Sequence, residues 1–264
     1  MTQFPEALKD WRARRRLSQL ELASEAGVSA RHVAFLETGR ARPSAAMVVR
    51  LAEALQIPMS DRNTLLTQAG FAARYPGRRW SDADMAPMRA AVERILGQHA
   101  PYPGIAVDRM WTVRLMNGPA ARLFGPLGLA EGGSLVDLML SESAPLLIEN
   151  WPDVARRAAS RLRIESASQG GVPALERAAD RLGAVTGPVT DAPGPVTPTI
   201  LRLGDRRLSL FAVIAQFGTP EDLLLEDLRI ELFFPTDDRS RQALQDLSPQ
   251  TDQEVSCPQI GSDL

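Results

Sequence analysis

Leu17 to Pro43 reads LSQLELASEAGVSARHVAFLETGRARP, and its spacing decides the fold of the amino-terminal region. Leu17, Leu20, Leu22, Ala23, Ala26, Val28, Val33 and Leu36 recur at helical spacing across a break at Gly27. Ser18 and Ser29 stand where helices begin, since a serine hydroxyl accepts a backbone N–H left free in a first turn. The pattern predicts two short helices, over 18–26 and 29–37, joined by a tight glycine turn. That is the geometry in which a second helix enters a DNA major groove.

The neighbouring segments extend this unit. A helix over 6–16 carries apolar Leu8 and Trp11 and a cluster of Arg12, Arg14, Arg15 and Arg16. Gly39 suits the left-handed position just past a helix end, with Pro43 close behind. Ser44 caps a fourth helix holding Met47, Val48, Leu51, Ala52 and Leu55, which Pro58 stops. A fifth runs from Asp61 to Gln68. Five helices make residues 1–74 an all-α domain. The chain of 264 residues has room for a second domain with its own core.

Net charge is −2, unevenly spread. Residues 1–80 hold 13 Arg or Lys against 7 Asp or Glu, and the remainder of the chain holds 17 against 25. A basic head on an acidic body suits a head that meets phosphates. No apolar run reaches membrane-span length, and the amino terminus lacks the apolar core of a secretory signal. The single cysteine, Cys257, excludes a disulfide framework, and two histidines, His32 and His99, argue against a metal site or catalytic triad. The expected location is the cytoplasm.

Residues 75–100 read as a linker, Tyr75 to Trp80, and a connecting helix over 82–96. Beyond them the period changes. Strands over 103–108 and 111–117 flank a turn at Asp108-Arg109-Met110. Helices follow over 118–124, 134–140, 142–149, 151–164 (with Asn150 as cap) and 173–182. A proline-rich loop over 184–198 leads to strands over 199–204, 206–218 and 227–234. The expected fold is α+β: an all-α five-helix domain, then residues 101–235 with a five-stranded antiparallel sheet flanked by helices. Glu221/Asp222 and Glu226/Asp227 read as exposed turn charges, and 236–264 as a disordered tail.

On the DNA-binding helices, Gln19 is placed to donate to a phosphate. Ser29, Ala30, Arg31, His32 and Phe35 form the exposed face of the second helix. Arg31 suits bidentate reading of guanine or a phosphate contact; Ala30 and Phe35 suit a thymine methyl, and Phe35 also suits the core. His32 suits either the groove or local packing. Arg40 and Arg42 suit phosphates, while Glu37 suits an internal hydrogen bond or ion pair, since phosphate repels a carboxylate.

LSQLELA, GVSARHV, FLETGRARPS and LAEAL together resemble the lambda-repressor-like, Xre-type helix-turn-helix family. One departure is the hydrophobic Phe35 where a polar base-reading side chain is common. RHVAFLETGRARPS, DRNTLLTQAGFAARY and PYPGIAVDRMWTVRLMNGPAARLF, with RRLSLFAVIAQFGTPEDLLLEDLRIELFFP, are similar to bacterial Xre regulators carrying an MmyB-type ligand-binding domain. The resemblance implies a PAS-like second domain that holds a fatty-acyl or other apolar molecule between its sheet and helices. Trp111, Phe124, Leu138, Met139, Leu147, Trp151, Leu210, Ala212 and Ile214 are the candidate lining, or else a dry core. Arg202, Arg206 and Arg207 are candidate partners for an acyl carboxylate.

The function expected is a homodimeric regulator that binds double-stranded operator DNA and responds to an apolar effector, with the 82–96 helix and the 184–198 loop as moving parts. The alternative is a constitutive DNA binder whose second domain serves dimerisation or a protein partner. No nucleophile elbow, phosphate loop or metal spacing suggests an enzyme, and no cofactor is expected.

Overall fold

Serine caps and glycine turns build the amino-terminal domain where the sequence places them. The computed structural model describes residues 3–188, 196–218 and 222–247; Cys257 and Glu221 lie outside them. Five helices run Phe4–Arg14 (α1), Gln19–Glu25 (α2), Ala30–Glu37 (α3), Ala45–Ala54 (α4) and Met59–Gln68 (α5). Ser18 accepts from the Glu21 N–H at 3.2 Å while the Glu21 carboxylate accepts from the Ser18 N–H at 2.6 Å, a reciprocal capping box. Ser29 and Ser44 cap α3 and α4 by accepting from the His32 and Met47 N–H groups. Gly27 between α2 and α3 (φ 61°) and Gly39 after α3 (φ 69°) take left-handed conformations that side chains rarely adopt. Leu8, Leu22, Val33, Leu36, Leu51 and Leu65 meet in one buried core drawn from all five helices. Burial of each such side chain contributes about 1.5–3 kcal/mol.

The second domain begins with Ala86–Gln98 (α6), entered through a short 3-10 turn. Strands Gly104–Val107 (β1) and Val113–Met116 (β2) follow, then helices Gly118–Phe124 (α7), Leu135–Leu140 (α8), Ala144–Leu147 (α9), Trp151–Ser168 (α10) and Pro173–Gly183 (α11). Thr199–Leu203 (β3), Arg206–Gln216 (β4), Leu223–Asp227 (α12), Arg229–Pro235 (β5) and Asp238–Asp246 (α13) complete it. The sheet order is β2-β1-β5-β4-β3, every neighbouring pair antiparallel. On one face α6 sets Val92 and Leu96 against Ala106, Leu228 and Ile230. The opposite face carries Val107, Leu201 and Leu210 against Leu123 and Phe124 of α7. Asn117, itself buried, joins the layers: its side chain accepts from the Gly104 and Ala120 N–H groups and donates to Leu96 and Tyr102 carbonyls.

Three expectations need correction. The tail read as disordered from Thr236 begins as α13, because Asp237 caps it (2.7 Å to Ser240 N) and Ser240 and Leu244 are buried. Asn150 precedes α10 without capping it; its side chain instead grips the start of β3, donating to Pro198 O at 2.8 Å and accepting from Ile200 N at 3.0 Å. The Leu-rich stretch after Asp222 forms α12 rather than an exposed turn. Of the 184–198 loop, residues 189–195 lie outside the described residues.

Candidate functional site

The surface of α3 is fixed by a buried carboxylate behind it. The Glu37 side chain is only 3% exposed and accepts from Arg12 Nε at 2.6 Å and Nη2 at 2.9 Å, and from Gln19 Nε2 at 2.7 Å. Burial pushes the Glu37 carboxyl up, but Arg12 and Gln19 outweigh it and hold the group below the ordinary carboxylate range. Gln19, expected to donate to phosphate, therefore has its amide directed to Glu37, which braces the start of α2 against the end of α3. Glu37 has the internal role expected of it.

Arg31 is exposed and its guanidinium lies 5.2 Å from the Phe35 ring centroid. Phe35 is half-buried beneath it and is not part of the core, whereas Ala30 packs against the core edge. His32 is half-buried; Ser29, Arg40 and Arg42 are exposed. Among the described residues Arg31, Arg40 and Arg42 have no ion-pair partner, so one side of α3 and the turn after it form an uncompensated basic surface.

In the second domain a cavity of ≈ 260 Å³ lies between the sheet and α7–α10. That is near the lower end of small-molecule sites, about 300–1,000 Å³. Trp111, Phe124, Leu138, Met139, Leu147, Leu210 and Ala212 line it, seven of the nine residues read from the sequence. Trp151 does not; it packs in the core between α10 and α11. Ile214 does not either: it shares the face of Leu210 and Ala212 but is 44% exposed.

Sequence reading missed the charged part of the wall, Arg157, Arg161 and Glu231. Arg157 and Arg161 are one helical turn apart on α10, a spacing visible in the sequence. Glu231 alternates with Ile230 and Leu232 as a polar strand residue would, but Arg161 of α10 covers it and Glu231 is buried. Arg161 donates to Glu231 at 2.6 Å and to Glu165 at 2.8 Å, and lies 4.2 Å from the Trp111 ring centroid. Burial lowers its pKa, but the two carboxylates more than reverse this. Trp111, held at φ 62°, donates from Nε1 to Glu165 at 2.7 Å, which fixes a backbone conformation rare for a bulky residue. Arg202 and Arg207, expected to meet an acyl carboxylate, both donate to Glu149 at 3.1 Å, away from the cavity. Arg206 is exposed and does not line it.

Three of the acidic residues read as turn charges, Asp222, Glu226 and Asp227, join the two domains. Asp222 is 3% exposed and pairs with Arg78 of the linker at 3.0 Å. Glu226 accepts from Met59 N at 2.8 Å. Arg109 reaches Ser60 at 3.1 Å and Asp227 at 3.9 Å. Burial pushes Asp227 up to about 6, offset in part by Arg109 and reinforced by Glu226. Among the described residues no His, Cys, Asp and Glu cluster is placed to hold a metal, and no helix is long and apolar enough to cross a membrane.

A helix-turn-helix head with a free basic face, joined to an α+β domain with a largely apolar cavity, defines a DNA-binding transcription regulator with a second, cavity-bearing domain. Residues 8–61 match the helix-turn-helix family model, and residues 88–247 match the MmyB-like transcription regulator ligand binding domain. The chain belongs to the MmyB-like transcription regulators. The second match runs to the end of α13, so that helix is part of the domain rather than of a tail. No match is found among curated proteins.

Proposed function

We propose that this regulator binds operator DNA as a homodimer and that an apolar effector of fatty-acyl type, seated in the second domain, sets its operator affinity. The observation that carries this reading is the cavity itself: an apolar enclosure with a single uncommitted cation in its wall. Arg161 is consumed by Glu165 and Glu231, whereas Arg157 is exposed and, among the described residues, has no hydrogen-bond or ion-pair partner. It stands where the cavity meets solvent, the place for the acid group of an amphiphile whose chain lies along Trp111, Leu138 and Ala212. The sheet with helices over the cavity face supports a PAS-like description. The role proposed is binding rather than catalysis.

Calorimetry with dodecanoate and methyl dodecanoate tests this. Arg157→Gln is expected to weaken dodecanoate about tenfold, the scale of a charge-assisted hydrogen bond of ~1.5–3 kcal/mol, and to leave the ester unchanged. If no acyl compound binds, and native mass spectrometry finds only bare protein, the effector reading fails and the constitutive dimerising regulator stands.

On the DNA side, Arg31→Ala is expected to relax preference at one base pair, with a cost of about 1–3 kcal/mol for the cognate base. Binding assays across operator variants check this. A uniform loss over all sequences would make Arg31 a phosphate contact instead, and unchanged binding would remove it from the interface.

A further inference from the structure

We propose that α12 is a clip by which the sensor holds the DNA-binding head, and that cavity occupancy reaches this clip through a chain of partly buried ion pairs.

The clip follows from the start of α5. Its N-cap position is Pro58, which has no side chain able to accept a hydrogen bond; Pro58 O takes the Asp61 N–H, but the Met59 N–H at the helix start has no acceptor within the helix. The Met59 N–H finds one in Glu226 of α12, from the other domain. Negative charge at a helix N-terminus is also favoured by the helix dipole. The same short helix secures the linker: the Leu223 N–H donates to Pro76 O at 3.2 Å, and Asp222 pairs with Arg78. Head, linker and sensor therefore converge on five residues and their cap.

The chain begins at Glu231 in the cavity wall. Glu231 pairs with Arg161, Arg161 with Glu165, and Glu165 with Arg229. Arg229 lies two residues beyond Asp227, the last residue of the clip. A ligand that displaces Trp111 or the Arg161 guanidinium must rearrange Glu165, which both groups share. Because α5 shares one core with α3, a change in the grip of α12 changes the pose of the recognition helix relative to the sensor. In a dimer that pose sets the spacing of the two helices, which must match half-sites about 34 Å apart.

The coupling half of this proposal rests on the effector reading above; the clip does not. Hydrogen exchange and small-angle scattering on the full chain test both. Glu226→Ala is expected to speed exchange of the Met59 and Ser60 amides about tenfold and to enlarge the radius of gyration, with Glu226→Gln in between. Unchanged exchange overturns the clip, and so does faster exchange without expansion, which would make Glu226 a local cap only. Dodecanoate is expected to change exchange of the same amides about threefold in the wild type and not in Arg229→Gln. Binding of dodecanoate without that change overturns the coupling. Failure of dodecanoate to bind overturns the effector reading and the coupling with it, while the clip is judged on Glu226→Ala alone.

Discussion

Arg12→Ala is expected to destabilise the head by about 3–5 kcal/mol, the cost of leaving a buried carboxylate without its ion partner. Glu37 is almost fully covered and takes two of its three side-chain hydrogen bonds from Arg12. Gln19 alone does not neutralise it. Chemical denaturation monitored in the head gives the measurement, and a loss below about 1 kcal/mol would mean that water reaches the carboxylate. Operator binding is expected to fall in parallel, since Glu37 ties the start of α2 to the end of α3. The pH dependence has a definite sign. The folded-state pKa of Glu37 is depressed, so its contribution is full above the unfolded carboxylate range and is lost as pH falls through the folded value. The difference between wild type and Arg12→Ala is therefore expected to narrow below about pH 4. The double variant Arg12→Met/Glu37→Leu is expected to recover most of the stability, because an apolar pair removes both charges at once.

The second large effect is expected in the ligand-binding domain. Arg161→Ala strips two carboxylates of their shared cation and removes the guanidinium from the Trp111 face. Glu231 has a side-chain exposure of 4% and loses its one ion-pair partner among the described residues. Glu165 keeps Trp111 and Arg229. A cost of about 3–5 kcal/mol follows, concentrated on Glu231. Arg161→Lys is expected to rescue only in part, since an ammonium cannot donate in the fixed fork that spans both carboxylates. Thermal unfolding followed by near-UV circular dichroism measures this. Full rescue by lysine would show that charge alone, and not the fork, holds the cavity wall.

Much of the architecture was legible in the sequence because it rests on local rules. Ser18, Ser29 and Ser44 announce helix starts, Gly27 and Gly39 require left-handed turns, and alternation marks the strands. Seven cavity residues followed from the site between sheet and helices that the family resemblance implies, filled with the apolar side chains of those elements. What was not legible depends on partners far along the chain. Asp222 and Glu226 meet groups 144 and 167 positions away, and no period or composition marks such a pairing. An acidic, leucine-rich stretch reads as exposed until its partners are known. Gln19 shows the same limit: its amide suits a phosphate and a carboxylate equally, and only the fold brings Glu37 to it. In α13 the polar composition masked Leu244, whose burial comes from the sheet and not from its neighbours in sequence.

The cap on α5 also has a consequence in time. During synthesis the head emerges well before Glu226, so the Met59 amide waits 167 positions for its acceptor. At ribosomal rates of about 5–20 residues per second, that delay is roughly 8–33 s. Throughout it, the five-helix unit exists with α5 open at its first turn, and it becomes complete only as the last strand of the sheet is made.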